Sequence, residues 1–176
     1  MAIQEAINSA VDGDTIFVKA GAYYEHVVVN RTVSIVGEDV DTTIIDGNNT
    51  GHVINVISQN VNISGFTVQN SGNVHWPALE AGICLNSTTD CSVSENRLVD
   101  NGFAGISLLN SQRNTITGNN ATGTGWGAIH LLNSSNNTVS ENILDSNTYV
   151  GINGHASSHH NNIKENVITN STYGMF

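Results

Sequence analysis

Apolar positions along the chain return at a fixed interval. From Gly82 onward four stretches follow one 23-residue template: GICLNSTTDCSVSENRLVDNGFA, then GISLLNSQRNTITGNNATGTGWG from Gly105, AIHLLNSSNNTVSENILDSNTYV from Ala128, and a copy from Gly151 with one residue added. Ile83, Ile106, Ile129 and Ile152 make one inward column, with Leu85, Leu108 and Leu131 two residues on. Val93, Ile116, Val139 and Ile163 line a second face, and Leu98, Ala121, Leu144 and Ile168 a third. A period of this length marks a solenoid, since each unit can bury its apolar face only against its neighbours.

Upstream the rhythm is looser but continuous. Ala2, Ile3, Ala6, Ile7 and Ala10 recur at helical spacing, predicting a short amphipathic helix over residues 2–10 that covers the open end of a stack. Strands are expected at 15–19, 27–29, 33–36, 43–45, 53–56, 61–63 and 66–68, with Ala20-Gly21-Ala22 as a bend. Three short strands per turn predict an all-β, right-handed single-stranded parallel β-helix forming one domain over residues 1–176. About seven rungs rising about 4.8 Å each give a rod on the order of 35 Å long.

Asn96, Asn119, Asn142 and Asn166 occupy one template position, where the second strand turns toward the third. A buried asparagine ladder there would satisfy backbone groups that a tight bend leaves unpaired. Gly82, Gly105 and Gly151 are read as easing the bend into the first strand, although Ala128 stands at that position in the third copy. The stretch from Asn73 to Ala81, with His75, Trp76, Pro77 and Glu80, exceeds the template and predicts a loop on one side. At the other end Phe176 aligns with the Ile152 column and no further strand is expected. That reads as a truncated stack, with further rungs or end-to-end self-association beyond it.

Composition narrows the function. Five Lys plus Arg against 15 Asp plus Glu give a formal charge of -10, with no basic cluster for a nucleic-acid backbone. No apolar run is long enough for a membrane span, and no signal-peptide pattern is visible ahead of the first repeat. The 26 asparagines suit turns rather than helices. Cys84 and Cys91 either form a local disulfide or stay free.

These repeats resemble the right-handed parallel β-helix proteins of the pectin-lyase-like superfamily, specifically the short G-I-x-L and N-x-I-x-x-N repeats of NosD-like periplasmic and cell-surface proteins. The opening AIQEAINSAVDGDTIFVKAGAYYEHVVVN looks like the usual start of such domains, pectin methylesterases included. The resemblance implies a secreted, periplasmic or cell-surface setting and an association with carbohydrate binding or processing, or with maturation of copper enzymes.

Several residue sets could carry chemistry. Glu141 and Glu165 fall one rung, about 5 Å, apart, a separation that glycoside hydrolysis can use; the alternative is a pair of solvated surface acids. No match to the acids and arginine of pectin methylesterases is visible, and neither Arg97 nor Arg113 sits in a lyase-type carboxylate cluster. Cys84, Ser107, His130 and Asn153 share an outward position read as an ordinary polar face, where Ser107 and His130 could touch but lack an aligned Asp. His155, His159 and His160 are the candidate metal ligands, imidazoles suiting copper or zinc; no cofactor is expected, calcium or copper being the ions to test. Phe103, Trp126, Tyr149 and Tyr173 form an aromatic column, with Trp76 near its start. Exposed, it would bind a polysaccharide or surface glycan through the flat faces of sugar rings; buried, it would be a stabilising ladder. The expectation is a noncatalytic carbohydrate-binding or structural module. A polysaccharide-active hydrolase, lyase or epimerase and a copper-associated accessory protein are the alternatives.

Overall fold

The computed structural model describes residues 2–176 and contains one short helix and 21 strands. The strands lie in three parallel sheets of seven, and each rung contributes one strand to each sheet. The first sheet runs from Thr15–Val18 to Asn62–Ser64 and on to Asn162–Lys164; the second runs from Gly21–Tyr24 to Val167–Thr169. The third holds Val27–Val29, Ile54–Val56, Ala81–Asn86, Ala104–Leu109, Gly127–Leu132, Val150–His155 and Tyr173–Met175. Register follows the template, with Ile83, Ile106, Ile129 and Ile152 opposite one another in sequence. These side chains and the Val93 and Leu98 columns form one continuous buried core.

The helix Ile3–Ser9 is a lid, as its pattern predicts, with Ile3 and Ile7 buried against the core. Its free amides are satisfied from the barrel: Ile3 and Gln4 N–H donate to the Glu25 carboxylate at 2.9 and 3.1 Å. The Gln4 side chain in turn accepts from Val28 N–H and donates to Val28 O, occupying groups on the first strand of the third sheet.

Four local expectations change. Residues 21–24 form a strand rather than a bend, because Gly21–Tyr24 pairs in register with Thr43–Asp46. Gly82, Gly105 and Gly151 are not at left-handed angles. Their position faces the core, and a Cβ on Gly105 would lie 2.8 Å from Ala128 O and 3.4 Å from the Ala121 and Leu98 side chains, so the requirement is for a small residue. A strand, Tyr173–Met175, does follow the fourth copy, and Met175 rather than Phe176 stands opposite Ile152. The residue added near Ala156 and Ser157, both at positive φ, is offset by a shorter bend before Tyr173.

The asparagine column is a ladder and has companions the template did not single out. Asn119 Oδ1 accepts from Asn96 N–H at 3.0 Å, and Asn142 Oδ1 does the same for Asn119. Asn166 completes the run by accepting from Asn142 N–H at 3.0 Å. A second ladder links Asn114, Asn137 and Asn161 at the next corner. A third joins Thr124 to Asn147. A serine column, Ser111 to Ser134 to Ser158, runs beside the second ladder in the same connection from the third sheet to the first. Cys91 heads the second ladder, its N–H donating to Asn114 Oδ1 at 2.9 Å. Both cysteines are free and buried, so no local disulfide forms.

Candidate functional site

Glu95, Glu141 and Glu165 stand at φ of +54°, +59° and +57°, at the left-handed corner preceding each ladder asparagine. Gly118 fills the same corner at φ +65°, which explains why a glycine interrupts the acidic column. All three acids are exposed, and Glu165 makes only a 3.6 Å ion pair with Lys164. Arg97 pairs with Asp41 at 2.8 Å and Arg113 grips Asp90 through two 3.0 Å bonds; each arginine is matched to a single exposed aspartate.

The outward face of the third sheet differs from expectation. Cys84, Ser107, His130 and Asn153 do point away from the core, but they are buried rather than forming an open polar face. The cover comes from the 73–80 loop and the aromatic column. Leu79 packs with Ala81, Cys84, Phe103, Ala104 and Leu109 in a second apolar cluster outside the barrel, with Trp126 and Leu132 at its margin. Glu80 holds the loop down: its Oε2 accepts from Val74 N–H at 2.9 Å, and it folds so closely over Gly72 that a Cβ there would meet this oxygen at 2.0 Å. His52 Nδ1 accepts from Ala81 N–H at 3.1 Å where the chain re-enters the sheet.

The aromatic column is neither a fully exposed strip nor a buried ladder. Phe103 is 3% exposed, Trp126 is half-buried, Tyr149 reaches 38% and Tyr173 46%, while Trp76 on the loop is 76% exposed. The rings stack on each other: Phe103 and Trp126 at 5.2 Å and 11°, then Trp126 and Tyr149 at 5.6 Å and 23°. Tyr173 meets Tyr149 edge-on at 5.1 Å. Most of the flat surface is thus spent on neighbouring rings, and the column offers edges to solvent.

Between loop and column lies a recess of about 250 Å³ lined by His75, Trp76, Leu79, Phe103, Trp126, His130, Leu132, Asn153 and His155. His130 stands edge-on to both Phe103 and Trp126 at 5.4 and 5.6 Å. Burial, with a smaller contribution from His155, pushes its imidazole down to about 4, so it is neutral at pH 7. Burial pushes the Cys84 thiol up to about 12, leaving it un-ionised. Ser107 Oγ, His130 Nδ1 and Asn153 Oδ1, on three successive rungs, are buried without a hydrogen-bond partner. Ser107 and His130 are therefore not bonded to each other, and no nucleophile–base pair exists there.

His155 lines this recess while His159 and His160 sit on an exposed corner, their ring centroids 6.3 Å apart. The three do not come together, and among the described residues no three His, Cys, Asp or Glu side chains converge as a metal site would require. Sequence reasoning placed Trp76, Phe103 and Trp126 at this face but missed His130 and Asn153 as recess groups. Their outward alternation was legible, their burial was not.

Three parallel sheets closed around one core define a parallel β-helix of the pectin-lyase-like class. The chain belongs to the NosD family, described as periplasmic copper-binding protein, whose family model matches residues 7–176. Among solved structures it is similar to a pectin methylesterase from Yersinia enterocolitica, at 16% identity and a TM-score of 0.54, over 80% of this chain and 55% of that one. It is also similar to a pectin methylesterase mutant solved with a hexasaccharide, at 12% identity and a TM-score of 0.52, over 89% of this chain and 63% of that one. The chain thus spans less than two thirds of either enzyme, and likeness at this identity shows the fold alone. No protein of curated function matches the chain by sequence. No helix among the described residues is long and apolar enough to cross a membrane.

Proposed function

We propose that this domain is a noncatalytic saccharide-binding module that works outside the cytoplasm, in the periplasm or at the cell surface. The observation that carries the reading is one recess combining aromatic walls with buried polar atoms that have no partner inside the protein. An unpaired buried polar group costs about 1–3 kcal/mol, so a ligand hydroxyl that shifts the cover enough to reach one recovers part of what the free protein forgoes. A sugar offers both parts, C–H faces for the rings and hydroxyls for the polar atoms.

Two features support a noncatalytic role. No carboxylate lines the recess, and Glu141 and Glu165 lie at the corner between the first and second sheets rather than on this face. Glycoside hydrolysis needs two carboxyl groups flanking one bond. The family description names copper, but the donors here do not fit a resident copper ion. His155 is separated from His159 and His160, the Cys84 thiol is held un-ionised, and Met175 is at the last strand. Stoichiometric submicromolar copper binding, abolished by changing His159 and His160, would overturn that assignment.

A glycan array followed by size analysis of each bound saccharide tests the main reading. Binding without shortening of the chain is expected. Cleavage overturns the noncatalytic assignment, and an array with no retained glycan overturns saccharide binding itself.

A further inference from the structure

Resting on the saccharide reading above, we infer that the recess takes a single uncharged sugar residue, a chain end or a side branch, and discriminates against uronic acids.

Size and shape argue for one residue. The recess is smaller than the roughly 300–1,000 Å³ usual for ligand pockets. An extended chain would need a continued flat platform, yet Phe103, Trp126 and Tyr149 already stack face to face with one another. Trp76, across the recess and largely exposed, is in no such stack and has a face free for one ring.

Electrostatics argue for an uncharged one. The chain carries -10 and has only five basic side chains. Lys19, Arg97, Arg113 and Lys164 are paired with Glu38, Asp41, Asp90 and Glu165, and Arg31 donates to Asn8 O; none lines the recess. A carboxylate entering there would lose water and meet no lysine or arginine, only the imidazoles of His75, His130 and His155, so its desolvation is not offset by a permanent cation.

Hydrogen-bond capacity points the same way. His130 Nδ1 and Asn153 Oδ1 are buried and unpartnered one rung apart, and His130 is neutral at pH 7. A hydroxyl is donor and acceptor at once and suits a neutral imidazole in either tautomer and both ends of the Asn153 amide, whereas a carboxylate only accepts and is served by their N–H groups alone, leaving the Asn153 oxygen unpaired.

The test is calorimetric titration at pH 7.5 with cellohexaose, mannohexaose and N-acetylchitohexaose against hexagalacturonate and hexamannuronate. It is paired with NMR of the His130 ring in the unaltered protein and with His130→Phe, which keeps the ring and removes its nitrogens. The expected result is at least one neutral oligomer binding about tenfold or more tighter than either uronate, with the His130 signal shifting and the variant losing about tenfold, the discrimination a hydrogen-bonding site imposes. A uronate binding as tightly as every neutral oligomer overturns the inference and leaves saccharide binding standing. Neutral binding that moves neither the His130 signal nor the variant's affinity overturns the recess as the site. If the variant does not fold, the wild-type signal alone decides. No binding to any of the five, together with an empty array, overturns the underlying reading as well.

Discussion

Truncating the middle of the asparagine ladder should cost far more than truncating its end. Asn119 is buried, and its Oδ1 is the acceptor for Asn96 N–H and Asn96 Nδ2 at 3.0 and 3.2 Å. Its Nδ2 donates to Val93 O, Thr117 O and Asn142 Oδ1 at 2.9, 3.1 and 3.0 Å. In Asn119→Ala the Asn96 side chain keeps Ile63 O and Ser94 O, and Asn142 Oδ1 keeps Asn119 N–H. The orphan is Asn96 N–H. One buried orphan at about 1–3 kcal/mol, plus two or three lost neutral bonds at about 1 kcal/mol each, gives about 3–6 kcal/mol. Asn166 likewise accepts from Asn142 N–H and Nδ2 and donates to Val139 O and Lys164 O, but it is half-buried on the last full rung, so water can reach the groups that Asn166→Ala uncovers, and about 1–2 kcal/mol is expected.

Asn119→Asp sharpens the test. It keeps the acceptor but sets a carboxylate oxygen against three other oxygens, so at pH 7 it should be less stable than Asn119→Ala. Burial and those oxygens raise the folded-state pKa of the new acid, so the protonated form is favoured in the fold. Its stability is therefore greatest below the unfolded pKa of about 4 and falls as pH rises through the folded value. Urea unfolding followed by far-UV circular dichroism at pH 4 and pH 7 measures all three variants. Equal losses for Asn119→Ala and Asn166→Ala, or an Asp variant as stable as wild type at pH 7, would refute the ladder argument.

Three further outcomes follow from the same geometry. His130, pushed down to about 4 by burial, takes up its proton less readily when folded, so stability should fall by up to about 3 kcal/mol as pH drops from about 6.5 to 4. His130→Phe should flatten most of that slope, leaving a residue from His52, which burial also lowers; an unchanged slope would refute the assignment. Glu141→Gly and Glu165→Gly remove a side chain from a left-handed corner and should leave thermal stability level or raise it by about 1 kcal/mol, with glycan binding intact. Loss of binding in either would return these acids to a functional role. Native protein should react slowly with thiol reagents at pH 8, because Cys84 and Cys91 are buried and un-ionised, whereas urea should expose both at once; rapid labelling of the native protein would contradict the burial of that face.

The repeat by itself determined the solenoid, the inward columns, the main asparagine ladder and the alignment of Phe103, Trp126 and Tyr149; Tyr173, read as the fourth member, stands opposite Val150 instead. The repeat could do so because parallel stacking in register sets each residue on its counterpart one template away, so a one-dimensional period fixes which side chains meet. The lesser ladders escaped notice because cysteine, threonine and serine substitute for asparagine in them. What only the tertiary structure decided is the fate of the outward face of the third sheet. Its alternation was readable, but its cover is the 73–80 insertion, which has no counterpart in the template. Its position is set by Leu79 packing on Phe103 and by Glu80 folding over Gly72, contacts that no periodicity predicts. The same gap hid the separation of His155 from His159 and His160: one added residue near Ala156 turns the chain through a corner, leaving one imidazole in the recess and two in solvent.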